Sequence, residues 1–220
     1  MEYLISSLIG YLFGSIPTAY ILLKKTKGID ITNSGTGNVG AMNSYEVTNS
    51  KSIWIVVLIV DFLKGMIPAL TVLFLFESSF FIASLSILFA IFSHCFNPWL
   101  GFKGGRGLAT AAGGSALIFP FLLAAWIVFY ILVYVVKKDI HISNIFATVL
   151  SLISVLAFPD YLIQYAYPQP VLVNELLLFT SAGLLIIFIK HIEPLKEIIS
   201  NKKQTKLWLT KEHLSSPSLC

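Results

Sequence analysis

The chain has 220 residues, 56% of them hydrophobic and 12% charged, with a mean hydropathy of +0.83 and a net charge of +4. Soluble domains carry about 25% charged residues, so a soluble fold is excluded and an all-α, polytopic membrane helix bundle is expected. The positive excess is of the kind that cytoplasmic loops carry and gives no ground for a nucleic-acid partner.

The first apolar run, Tyr3 to Leu23, ends in Lys24, Lys25 and Lys27. It lacks a clear small-residue cleavage site and reads as a first span rather than a removed signal peptide. Spans are expected next at about 52–76 and 79–96. The apolar stretch 108–136 exceeds the roughly 20 residues that one span needs. It holds Gly113, Gly114 and Pro120, and proline removes a helical hydrogen bond and clashes with the preceding turn. Two helices, about 107–119 and 120–136, are therefore expected, with one long tilted helix as the alternative. Further spans follow at about 142–158 and 172–190.

Charge decides between the two counts. With the N-terminus outside, seven segments put Lys24, Lys25, Lys27, Lys51, Lys103, Arg106, Lys137, Lys138 and the basic tail inside. Asp160, in a loop without Lys or Arg, then falls outside. The expected organisation is a membrane domain over 1–195 and a basic, polar cytoplasmic tail over 196–220, whose Ile198, Ile199, Leu207 and Trp208 can rest on the membrane surface. Cys95 and Cys220 are far apart and no metal-ligand spacing occurs, so neither a disulfide framework nor a metal site is expected.

Two inner loops combine glycine with polar groups. The first, S-G-T-G-N-V-G-A-M-N from Ser34 to Asn43, contains G-x-G-x-x-G at Gly35, Gly37 and Gly40. A dinucleotide fingerprint would need a preceding strand, and here a membrane helix precedes it. What remains is backbone that a ligand can approach closely, with Thr36, Asn38 and Asn43 as neutral polar groups; a flexible tight loop is the plainer reading. The second loop, G-F-K-G-G-R-G from Gly101 to Gly107, is not a nucleotide P-loop, because Arg106 is followed by glycine. Lys103 and Arg106, separated by Gly104 and Gly105, can converge on one phosphate, the arginine bidentately. Plain positive-inside charge accounts for the cations but not for the interleaved glycines.

Asp61 and Lys64 share a helix face inside the second span. They either pair with each other or contact substrate, since charge in the bilayer is costly. His94 closes the third span and His191 follows the last. On seven segments both face the side of the glycine loops, where they can recognise phosphate or handle protons.

Together these residues resemble the acyl-phosphate:glycerol-3-phosphate acyltransferases of bacteria, the PlsY family, over nearly the whole chain. The resemblance is carried by Y-L-F-G-S-I-P-T-A-Y (Tyr11 to Tyr20), G-I-D-I (Gly28 to Ile31), D-F-L-K-G (Asp61 to Gly65), H-C-F…F-K-G-G-R-G-L-A-T (His94 to Thr110), and His191 with Glu193. The chain departs from the family's usual pattern at Thr36 (Ser), Met42 (Thr), Glu46 (Arg), Arg106 (Lys) and Pro194 (Asn), and matches it only loosely at 141–144.

The resemblance implies a seven-helix enzyme of the bacterial inner membrane, with its N-terminus outside and its active site facing the cytoplasm. It would transfer a fatty acyl group from acyl phosphate to the 1-hydroxyl of glycerol 3-phosphate, giving lysophosphatidic acid. No cofactor and no obligate protein partner are expected beyond these two substrates and membrane lipid. No nucleophile elbow or Ser–His–acid order is present, so direct transfer by alignment and charge stabilisation is expected. Lys103 and Arg106 would hold one phosphate, and the loop around Gly35, Thr36, Gly37, Asn38 and Gly40 another. The hydroxyl proton would go to His94, to His191 or to the departing phosphate. A transporter of phosphate compounds, or a paralogue that has lost catalysis, is the competing reading. The absence of an internal repeat and the scarcity of mid-span charge disfavour transport.

Overall fold

The computed structural model describes residues 1–76 and 79–196, and every regular element among them is helical. Among the described residues, six helical segments are long and apolar enough to cross a membrane, and Leu108–Ile118 is a shorter apolar one. The chain is an integral membrane protein. The tail from residue 197 onward, including Ile198, Ile199, Leu207 and Trp208, lies outside the described residues.

The first expected span is one membrane segment, Glu2–Lys27, built of two helices, α1 (Glu2–Gly14) and α2 (Thr18–Lys27). The break falls at Ser15–Ile16–Pro17, because proline has no N–H and disfavours the helical region for the residue before it. A short helix, α3 (Ala41–Thr48), grows directly out of the first glycine loop. Asn43 therefore sits on a helix rather than at a loop end. The second and third spans are α4 (Lys51–Leu75) and α5 (Phe80–Cys95).

The long apolar stretch divides as its proline dictates. α6 (Leu108–Ile118) ends at Phe119, and α7 (Pro120–Lys137) begins with the proline in the first turn, where a missing N–H costs nothing. α8 (Ile140–Ala157) is capped by Asp139, whose Oδ1 accepts from the N–H groups of His141 and Ile142 at 2.9 Å each. A one-turn helix, α9 (Pro159–Leu162), precedes α10 (Val173–Lys190).

Small residues let the helices approach closely, as they must where lipid supplies no hydrophobic drive for association. α1 lies along α5, and a Cβ on Gly10 or Gly14 would run into the carbonyl of Ser86 or Ala90. α4 and α6 meet in the same way, Gly65 against the Thr110 carbonyl and Gly113 against that of Phe62. The main apolar core joins α4, α5, α6, α9 and α10 through residues such as Val72, Phe80, Ala83, Ile91, Phe119 and Leu176. α7 buries none of its residues and stands at the rim, packed on α6 and α8.

Long-range contacts gather the polar loops at one end of the bundle. The Val39 N–H donates to the Gly104 carbonyl at 3.2 Å, joining the two glycine loops. Arg106 reaches His141 at the start of α8, and Lys190 at the end of α10 lies over the Phe96 ring, 5.1 Å from its centroid. At the other end, the Tyr167 N–H donates to the Ile118 carbonyl at 2.8 Å.

Candidate active site

The first glycine loop is shaped from within by Asn43, which is 1% exposed. Its Oδ1 accepts from the Thr36 N–H at 3.0 Å, and its Nδ2 donates to the carbonyls of Ser34 and Asn38 at 3.0 and 2.9 Å. Gly35 adopts φ +58 directly over that amide, where a side chain would strike Asn43 Oδ1. Before the loop, Asp30 caps a short 3-10 turn by accepting from the Thr32 hydroxyl at 2.7 Å and the Thr32 N–H at 3.0 Å. The Thr32 hydroxyl bond holds the Asp30 carboxyl below the usual range, with the charges of Lys24 and Lys103 assisting.

The second glycine loop rests on buried polar groups. The Gly105 N–H donates to the His94 carbonyl at 3.0 Å. A Cβ on Gly105 would collide with His94 Nε2, so only glycine fits over that ring. Beneath it, Lys64 Nζ lies 2.6 Å from Asp61 Oδ1, both residues about 3% exposed, and His94 Nδ1 is 3.9 Å from the same oxygen. The loop is tied laterally by Asn97, whose Nδ2 donates to the Ser15 carbonyl at the α1–α2 break at 2.8 Å.

A polar cavity of about 350 Å³ opens where the two loops meet the end of α10. Thr36, Gly37, Asn38, Lys103, Gly104, Arg106 and Glu193 line it, as do Pro194 and three residues not singled out from the sequence: Thr32, Phe102 and Lys190. Lys190 closes the last apolar run, and its adjacency to His191 is the signal that the sequence offers for it. Gly35, Gly40, Asn43, Lys64, Gly105, His94 and His191 do not border this cavity but stand behind it, and Glu46, on α3, is exposed and also off its wall. Lys64 in particular is engaged with Asp61, the pairing that is one of the two readings its sequence position offers.

His191 is 1% exposed. Its Nδ1 lies 2.8 Å from the Ile187 carbonyl; a carbonyl only accepts, so Nδ1 carries the proton and Nε2 the lone pair. That Nε2 has no hydrogen-bond partner among the described residues. Burial pushes the His191 pKa down to about 4; the Ile187 bond opposes this, and the positive charge of Arg106 adds to it.

An apolar cavity of about 320 Å³ lies deeper, between α5, α6, α7 and α10. Exposed Leu58 and Ile127 border it on the outer surface of the bundle, and Phe80 and Phe119 border it at the end away from the glycine loops. Gly107 separates the two cavities: a side chain there would touch Ile91 and Ile187, which line the apolar one, while its neighbour Arg106 lines the polar one. The site thus offers cations and amides on one side of a thin strand of chain and hydrocarbon on the other.

Residues 4–201 match the model of the glycerol-3-phosphate acyltransferase family. The chain belongs to the glycerol-3-phosphate acyltransferase family. Among curated glycerol-3-phosphate acyltransferases, that of Pelagibacter ubique is 36% identical over 206 residues, covering 94% of this chain and 98% of that one. That of Ehrlichia canis is 34% identical over 195 residues, 89% and 94% of the two chains. The crystal structure of PlsY, an integral membrane glycerol 3-phosphate acyltransferase, in its glycerol 3-phosphate form superposes with a TM-score of 0.75 at 26% identity, covering 91% of this chain and 94% of that one. Its lysophosphatidic acid form gives 0.74 at 25% identity, covering 91% and 93%. This glycerol-3-phosphate acyltransferase therefore keeps the membrane fold of PlsY.

Proposed function

We propose that the protein transfers a fatty acyl group from acyl phosphate to the 1-hydroxyl of glycerol 3-phosphate, yielding lysophosphatidic acid. The observation that carries this reading is the pairing of a cation-lined cavity with an apolar one across Gly107. An acyl phosphate has the matching shape, a charged head on a hydrocarbon tail. Its head would lie by Arg106 and Lys103, and its tail among Ile91, Ile187 and Phe119. Glycerol 3-phosphate would occupy the remainder of the polar cavity, beside Thr36, Asn38 and Lys190.

The acceptor oxygen attacks the acyl carbonyl carbon, the bond from that carbon to the phosphate oxygen breaks, and the phosphate leaves with the electron pair. The hydroxyl proton passes to the departing phosphate or to His191, whose Nε2 has no hydrogen-bond partner among the described residues. His94, under Gly105 and against Asp61, supports the second glycine loop. Catalysis then consists of holding two anions together in a cationic, partly dry site.

Orientation follows from charge. Helix connectivity and the contacts above gather Lys24, Lys25, Lys27, Lys51, Lys103, Arg106, Lys137, Lys138, Lys190 and Lys196 at the glycine-loop end, with Glu2, Asp160 and Glu175 toward the opposite one. By the positive-inside rule the site faces the cytoplasm, with seven crossings, α6 among them, and an external N-terminus, in a bacterial inner membrane.

The test is purified protein in lipid nanodiscs given palmitoyl phosphate and glycerol 3-phosphate, with products read by mass spectrometry. Lysophosphatidic acid is expected. Its absence with palmitoyl phosphate but appearance with palmitoyl-CoA would overturn the donor assignment, and its absence with both would overturn the acyltransferase reading.

A further inference from the structure

Arg106 borders both the polar cavity and the Gly107 divide, so its orientation decides where the head of an amphipathic substrate comes to rest. Its Nη1 lies 3.1 Å from Nδ1 of His141, 35 residues away on another element. A guanidinium has no acceptor and does not deprotonate in proteins. The bond therefore requires a neutral His141 that accepts at Nδ1 and carries its own proton at Nε2.

The ring is well placed to act as a fixed stop. It projects from the first turn of α8, which Asp139 holds through bonds to the His141 and Ile142 N–H groups at 2.9 Å each and to the Ser143 hydroxyl through the Asp139 carbonyl at 2.6 Å. His141 itself is only partly buried. One N–H of the planar fork bonded to a fixed acceptor defines the plane of the other four; a lysine ammonium at the same position would gain no such orientation.

We propose that His141 is a positioning residue, which turns the Arg106 guanidinium toward the phosphate of the acyl donor where that phosphate meets the apolar cavity. This deepens the proposed function and rests on its reading of the two cavities. The role also makes donor affinity pH-sensitive, since a proton on Nδ1 would face Arg106 with like charge. The charged and titratable groups around the pair are Lys103, Lys190 and Glu193, which line the polar cavity with Arg106, His191, which lies within electrostatic reach of Arg106, and Lys137, Lys138 and Asp139, which lead the chain into the α8 cap that carries His141.

The test reads binding and turnover together. Hexadecyl phosphate, an unreactive head-and-tail analogue, is titrated into wild type, His141→Ala, His141→Gln, Arg106→Lys and the His141→Ala/Arg106→Lys double variant in nanodiscs. His141→Ala is expected to weaken the analogue and raise KM for palmitoyl phosphate about tenfold, the effect of one oriented charge-assisted bond. KM for glycerol 3-phosphate and kcat should stay within about threefold. His141→Gln, whose amide oxygen still accepts, should recover most of the loss. In the Arg106→Lys background the His141→Ala change should alter donor affinity less than about twofold. Equal losses in both backgrounds, or a fall in kcat at unchanged donor KM, would overturn the proposal. Failure of wild type to bind hexadecyl phosphate at all would count against the assignment of the cavities, which is the proposed function, whereas tight binding by wild type and His141→Ala alike would count against His141 alone.

Discussion

Asn97 and Ser15 are 82 residues apart in sequence, yet the Asn97 side-chain amide donates to the Ser15 carbonyl at 2.8 Å in a fully buried contact. Pro17 makes this contact possible: by breaking the first membrane helix it exposes a carbonyl that the helix would otherwise consume. Asn97 spends its other end on the Trp99 N–H at 3.1 Å, and the Trp99 indole reaches Ser15 Oγ at 3.2 Å. A helix defect thereby becomes the anchor of the loop that carries Lys103 and Arg106. Asn97→Ala leaves a buried carbonyl unpaired and should destabilise the protein by about 1–3 kcal/mol. Thermal unfolding in detergent would register this, and an unchanged midpoint would show that the anchor is dispensable.

Asn43 is the corresponding element of the first loop, with an acceptor and two donors turned to the loop's backbone. Asn43→Ala removes all three bonds. Asn43→Asp keeps the shape but turns a carboxylate oxygen toward the Ser34 and Asn38 carbonyls. The isosteric change should therefore be the more damaging of the two in kcat/KM and in thermal midpoint. The reverse order would mean that Asn43 serves chiefly as a spacer.

Lys103 reaches the polar cavity from an exposed position, with no part in the core. Lys103→Ala should raise substrate KM at least tenfold, a loss of about 1.4 kcal/mol or more, while moving the thermal midpoint little. Unchanged kinetics would take Lys103 out of the site, and a collapse of the midpoint would make it a structural residue.

The helical class, the break before Pro120 and the residues that flank the polar cavity could be read from the sequence, because proline chemistry, apolar length and interleaved glycines act locally. The division of labour within the motifs could not. Asn43 and Lys64 have the same chemistry whether they face a ligand or a neighbour, and only the fold determines that Asn43 braces its loop and Lys64 pairs with Asp61. Lys190 was legible as a charge but not as a wall of the cavity, since its place there depends on α10 ending beside Phe96. The break at Pro17 was visible in the residues as well, but a continuous apolar run masked it.

Gly183 gives a handle on the hydrocarbon side. It lines the apolar cavity on α10, and a Cβ there would meet only Ile91 Cδ1 at an ordinary 3.7 Å. Gly183→Ala should be tolerated, whereas Gly183→Leu would fill the cavity. Each methylene excluded from an apolar site costs about 0.8 kcal/mol, so Gly183→Leu should lose palmitoyl phosphate turnover steeply and decanoyl phosphate turnover much less. A uniform loss across chain lengths would place the acyl tail elsewhere.

His191 contributes to the loss of stability on the acid side. Its pKa in the folded protein is about 4, against an ordinary 6.5, chiefly because it is buried. Above pH 6.5 the ring is neutral in both folded and unfolded chains and imposes no penalty. Between 6.5 and 4 the unfolded chain takes up the proton first, so stability falls with pH through that window and levels off below it. The full change is on the order of 3 kcal/mol at 1.36 kcal/mol per pKa unit. His191→Asn, which cannot titrate, should be less stable than wild type at neutral pH yet show a shallower decline of thermal midpoint from pH 7 to 4. Parallel declines in the two proteins would mean that the ring is not held neutral. The same neutrality bears on catalysis: the Nε2 lone pair is available throughout the physiological range, so an acid limb of activity near pH 6 that persisted in His191→Asn would belong to another group.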